Sequence, residues 1–116
     1  FTAQVVPAIR GIMSTLYGRL QDGAAAEEAL RVYREFYHGD TFVRVYDGTA
    51  AVGTMHVRGT NFCNLVVSVD ERTGQLRVVS YIDNLVKGQA GSALQNMNLL
   101  FGLPENTGLA APAMYP

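Results

Sequence analysis

Residues 65–82 constrain the fold most. Leu65, Val67 and Val69 alternate with Asn64, Val66 and Ser68, a polar stretch follows at 70–74, and the chain returns into "QLRVVSYID". Successive side chains of a strand point to opposite faces, so this alternation marks half-buried strands. Two such runs joined by a short polar loop ending in glycine predict a hairpin. A sheet with one apolar face needs a cover, and the sequence offers one. Ala25, Ala29, Val32, Tyr33, Phe36 and Tyr37 recur at helical spacing after Asp22. Asp22 is placed to cap that helix, Glu27 and Glu28 suit its positive end, and Gly39 can close it. Glu27 and Arg31 are spaced for a favourable pair four residues apart.

The remaining chain adds strands and one further helix. "TFVRVYD" alternates, and the run "TMHVRGTNFCNLVVSVD" reads as strand, which places His56 in a strand. In "FTAQVV", Phe1, Ala3 and Val5 alternate with Thr2 and Gln4 until Pro7 interrupts them. A chain that opens inside a strand reads as a piece of something longer. "AIRGIMSTLYGRL" fits a helical stripe and a pair of strand faces equally well. Gly11 and Gly18 would each cost about 1 kcal/mol inside a helix, so the strand is preferred. After Asp83 the period changes to helical through Ala90, Ala93, Leu94, Met97 and Phe101, ending by Gly102 and Pro104. The tail "GLAAPAMYP" is expected to run extended over a surface or over a neighbouring domain. Strands, helix, strands, helix is the order of an α+β domain with a mixed, mostly antiparallel sheet and helices on one face.

Composition narrows the function classes. With 116 residues the chain has room for one core, and 48% apolar with 16% charged residues is ordinary for a globular domain. The net charge of −1 argues against nucleic-acid binding, which calls for a basic stripe. No apolar run approaches the ~20 residues of a membrane span. The single cysteine, Cys63, excludes an internal disulfide and a thiolate zinc site, and a reducing compartment is the default.

Candidate chemistry is sparse. Cys63 stands at the start of a strand with no histidine near it in sequence, and reads as a small buried hydrophobe rather than a nucleophile. His38 and His56 lack metal-ligand spacing, so no metal site is expected. Asp83, Asn84 and Lys87 form a polar cluster where a strand passes into a helix, and Lys87 is the only lysine. Helix N-termini present free N–H groups, so an anion or a carboxamide would be received there. The same spacing equally suits a capped turn with a solvated lysine. Gly88 and Gly91 leave the helix entrance nearly bare, which lets a ligand or another domain approach. Neither a P-loop nor a G-x-G-x-x-G fingerprint occurs.

"VPAIRGIMSTLY", "VRGTNFCNL", "VVSVDERTG" and above all "IDNLVKGQAGSALQNMNLLFGLPE" resemble the C-terminal part of the N-acetyl-gamma-glutamyl-phosphate reductases, relatives of the aspartate-semialdehyde dehydrogenases. The resemblance covers nearly the whole chain. It implies an NADP-dependent reduction of an acylphosphate to an aldehyde in arginine biosynthesis, in the cytoplasm. It further implies that the nucleophilic cysteine, its histidine partner and the nucleotide fingerprint lie upstream of this region, so no catalytic residue is expected here. It implies a substrate-binding and dimerisation domain over 1–86. Residues 87–116 become a helix and tail that return to a missing N-terminal cofactor domain. Asn84, with Lys87 and Gly88, is then expected at the nicotinamide end, and Arg10 on the carboxylate or phosphate of a small-molecule substrate. A homo-oligomer is expected, with neither nucleic acid nor membrane as partner. One departure is visible: Ala3 and Gln4 stand where the family commonly has a Pro-His pair. Two other readings stay open, a related reductase of the carrier-linked lysine pathway and a non-catalytic binding or dimerisation module.

Overall fold

The hairpin forms. In the computed structural model, which describes residues 3–21 and 25–114, β3 (Cys63–Asp70) and β4 (Gln75–Ile82) pair antiparallel from Cys63↔Ile82 to Asp70↔Gln75. The turn closes on the Asp70 carbonyl, which accepts the Gly74 amide at 2.8 Å. The ambiguous stretch is strand β1 (Ile12–Arg19), antiparallel to β4 from Ile12↔Ile82 to Arg19↔Gln75. Strand β2 (Val43–Asp47) joins the far side, parallel to β3, giving the order β1-β4-β3-β2. The sheet is therefore mixed and mostly antiparallel, and the α+β expectation holds.

Helix α1 (Ala26–Phe36) covers one face. Leu65, Val67 and Val78 form the buried centre, with Leu30, Tyr33, Tyr37, Val43, Val45 and Leu76 packed round it. Burying a valine or leucine fully is worth about 1.5–3 kcal/mol, so this cluster is the main cohesive element of the sheet. Two details of the helix differ from the sequence reading. Val32 and Phe36 are exposed, because the buried stripe runs through Ala29, Leu30, Tyr33 and Tyr37 instead. Arg31 pairs with Glu28 and with Glu35 at 2.7 Å, not with Glu27. The expected cap, Asp22, lies outside the described residues, and Ala25 at the N-cap supplies no side-chain bond.

Two stretches read as strand are not. Residues 3–6 have no strand partner, since the β1–β4 ladder starts only at Ile12, and Pro7 follows without an N–H to donate; Phe1 and Thr2 lie outside the described residues. Thr54–Val57 forms a 3-10 turn that buries Val57 completely and holds His56 Nδ1 against the Gly53 amide at 3.0 Å. His56 is therefore in a turn before β3, not in a strand.

Beyond β4 a π-helical turn (Val86–Ala90) leads into α2 (Gly91–Leu100). Gly91 is the pivot. A Cβ there would stand 2.3 Å from Asn61 Oδ1 and 2.8 Å from the Val86 carbonyl carbon, so only glycine lets α2 start this close to the 57–62 loop. The helix ends in a Schellman motif: Gly102 takes φ +67°, its amide reaches Leu99 O at 3.3 Å, and the Leu103 amide reaches Asn98 O at 2.8 Å. The tail then folds back. Asn98 Nδ2 donates to Glu105 O and Thr107 O, both at 3.0 Å, Leu109 is buried, and the Met114 amide reaches Arg58 O at 2.9 Å. Among the described residues no helix is long and apolar enough to cross a membrane.

Candidate substrate-side site

The antiparallel register builds the site. Because Ile12 pairs with Ile82, the residues leading into β1 meet those leaving β4, and Arg10 and Gly11 stand beside Asp83 and Asn84. Asn84 Oδ1 accepts the Gly11 amide at 2.8 Å. Gly11 sits at φ +105°, and a Cβ would lie 2.6 Å from Thr54 Cβ, so both backbone and space demand glycine. This kink turns Arg10 back onto Asp83. Arg10 Nη2 donates to both carboxylate oxygens at 2.7 Å, and Nε reaches Oδ2 at 3.2 Å.

Asp83 is completely buried. Its Oδ1 also accepts the Leu85 and Val86 amides, each at 2.8 Å, and its Oδ2 the Gly59 amide at 2.8 Å. Burial pushes its pKa up, but Arg10 and the Gly59, Val86 and Leu85 amides outweigh burial and hold it down at about 2. A buried ion pair is tolerable only when its remaining lone pairs are filled in this way.

Beside the pair lies a cavity of about 360 Å³ lined by Pro7, Ile9, Arg10, Thr54, Met55 and Arg58. Arg10 Nη1 makes no hydrogen bond among the described residues, and Arg58 and Thr54 line the same cavity. Two guanidinium groups and a hydroxyl around an apolar floor suit a small anion with an aliphatic body. A larger groove of about 590 Å³ runs along α1, away from the Asp83–Asn84 junction, where Arg31 pairs with Glu28 and Glu35 on the exposed helix face. The Arg10 cavity is the better candidate.

The residues singled out in the sequence divide between two places. Arg10 and Asn84 come together at this junction, and Gly88 backs onto it: its amide reaches Asp83 O at 2.8 Å. Its Cα packs towards Ile12 and Ile82, while its outer side stays exposed. Lys87 turns elsewhere. Its Nζ donates to Gln95 Oε1 at 2.8 Å and stands 5.7 Å from the Phe42 ring centroid. Gln95 Oε1 also accepts from Asn61 Nδ2 at 2.8 Å, and Gln95 Nε2 bonds Glu105, itself reached by Thr41 Oγ1 at 2.8 Å. Sequence reasoning did not single out Arg58 or Thr54 for the site; only the fold brings them to the cavity that Arg10 lines.

Cys63 lines neither place. Its Sγ lies 3.5 Å from Ser80 Oγ within the sheet's covered face, and among the described residues it makes no hydrogen bond to a histidine. Among the described residues no group of three or more His, Cys, Asp or Glu could hold a metal ion.

Comparison with known proteins decides the family. Residues 1–84 match the model of the semialdehyde dehydrogenase dimerisation domain. The chain belongs to that family. Over all 116 residues it is 53% identical to an N-acetyl-gamma-glutamyl-phosphate reductase of Geobacter sulfurreducens and 50% identical to that of Geobacter metallireducens. A third such reductase, from Symbiobacterium thermophilum, is 50% identical over 117 aligned residues. The chain spans 34% of the length of each of these relatives. The sequence resemblance to these reductases thus holds from end to end.

Proposed function

We propose that this chain is the substrate-side and dimerisation portion of an NADP-dependent N-acetyl-gamma-glutamyl-phosphate reductase, acting in the cytoplasm and in arginine biosynthesis. One observation carries the reading: over the whole chain, about half of all residues are identical to three proteins that bear that activity in their name. The nucleophilic cysteine and its histidine belong to the cofactor-domain side, outside these residues, so the chain alone is inactive. Residues 1–86 form the substrate-binding and dimerisation part, and 87–116 the helix and tail that return to the cofactor domain.

The residues present suit these parts. Arg10 holds the substrate's carboxylate or phosphate in the cavity beside it. The described residues offer no pyrophosphate cradle, but the half-buried Asn84 amide and the exposed backbone at Gly88 fit the margin of a dinucleotide. Asn84 orients the nicotinamide end, with Lys87 fixing the π-turn that carries Gly88. NADPH, when bound, supplies the hydride; these residues only orient and enclose.

β1 supplies the contact between copies. All eight of its residues are exposed, with Leu16 at 55% and Tyr17 at 66%. An apolar edge strand of this kind is a liability unless a second copy covers it.

The reading is tested in the chain extended upstream to the relatives' length. Arg10→Lys keeps the charge and loses the fork, so the KM for N-acetyl-gamma-glutamyl phosphate should rise about tenfold with kcat within about threefold. An unchanged KM removes Arg10 from substrate binding.

A further inference from the structure

Asp83 is completely buried and does not line the cavity, yet it holds two segments that do. Oδ2 alone accepts from Arg10 Nε and Nη2 and from the Gly59 amide. Gly59 directly follows Arg58, which lines the same cavity as Arg10. A carboxylate needed only for the turn after β4 would be satisfied by the Leu85 and Val86 amides on Oδ1. The second oxygen is committed wholly to the two segments that carry Arg10 and Arg58.

We propose that Asp83 is a positioning residue for substrate-anion binding: by holding Arg10 through Nε and Nη2 and the neighbouring 54–58 segment through the Gly59 amide, it sets the direction in which Arg10 meets the cavity. This rests on the reading of the cavity as the acylphosphate site. Asp83 takes the Nε–Nη2 edge of Arg10 and leaves Nη1 for the ligand. A guanidinium aims its remaining N–H at an oxyanion only when the group is held in place, so the loss of Asp83 should appear in substrate binding although Asp83 never meets the substrate.

The test uses the upstream-extended enzyme as wild type, Asp83→Asn, Asp83→Glu, Arg10→Lys and the double variant Arg10→Lys/Asp83→Asn. Asp83→Asn should raise the acylphosphate KM at least about tenfold and leave the NADPH KM within about twofold. On the Arg10→Lys background the same change should add less than about threefold, because the fork it aims is already gone. A merely structural Asp83 would lower the active fraction with both KM values unchanged, or multiply independently with Arg10→Lys; either result overturns the proposal. Should Asp83→Asn fail to fold by circular dichroism, Asp83→Glu decides. It keeps the charge and displaces the fork by one methylene, so a raised acylphosphate KM with kcat retained is expected, and an unchanged KM overturns the proposal. A wild-type enzyme that does not reduce the acylphosphate overturns the functional reading itself, which is seen before any variant is made.

Discussion

A buried carboxylate stays ionised only where protein donors replace the water it lost. Asp83 meets that condition with one arginine and three amides, and stability follows from it. Its pKa is lowered in the folded chain from 3.8 to about 2, so its contribution is fully present above pH 4 and disappears as pH falls through about 2. The stability gap between wild type and Asp83→Asn, on the order of 2 kcal/mol at neutral pH, should therefore narrow between pH 4 and pH 2. Urea unfolding at a series of pH values reads this directly; a gap that widens on acidification contradicts it. The cluster at 83–87 was legible as a site at the end of a strand because acid, amide and lysine fall within five positions. Its partners were not. Arg10 and Gly59 lie 73 and 24 residues from Asp83 in sequence, and only the β1–β4 register and the loop before β3 bring them there.

Among the elements, the hairpin, α1 and α2 were legible because each repeats one period long enough to choose a face. β1 was not. Its residues fit both periods, and it is a strand because β4 offers an unpaired edge of matching length, a tertiary cause that no local window contains. The failures have the same character. Residues 3–6 alternate like a strand but find no partner, and 54–57 are pulled into a 3-10 turn by the burial of Val57. Gly91 gives the sharpest prediction at this scale. Alanine would gain up to about 1 kcal/mol in helix propensity, but its methyl would overlap Asn61 and the Val86 backbone, and overpacking of this kind costs about 1–3 kcal/mol. Gly91→Ala should therefore destabilise, seen as a lower urea midpoint; a higher midpoint would show that α2 can shift away from the 57–62 loop.

At the scale of the whole molecule, apolar surface is exposed on two sides. β1 exposes an apolar edge, and the end of α2 exposes Leu99, Leu100 and Phe101, the last at 76%. On the proposed function a second copy covers the first and the cofactor domain the second. Leu16→Asp should shift the upstream-extended enzyme towards monomer by sedimentation velocity, and an unchanged assembly would place the subunit contact elsewhere. The central claim, that these residues are one part of an acylphosphate reductase, is tested most directly by NADPH oxidation with N-acetyl-gamma-glutamyl phosphate, comparing the 116-residue chain with its upstream-extended form. Turnover by the extended form alone is expected. Turnover by the 116 residues alone, or by neither form, would contradict that claim.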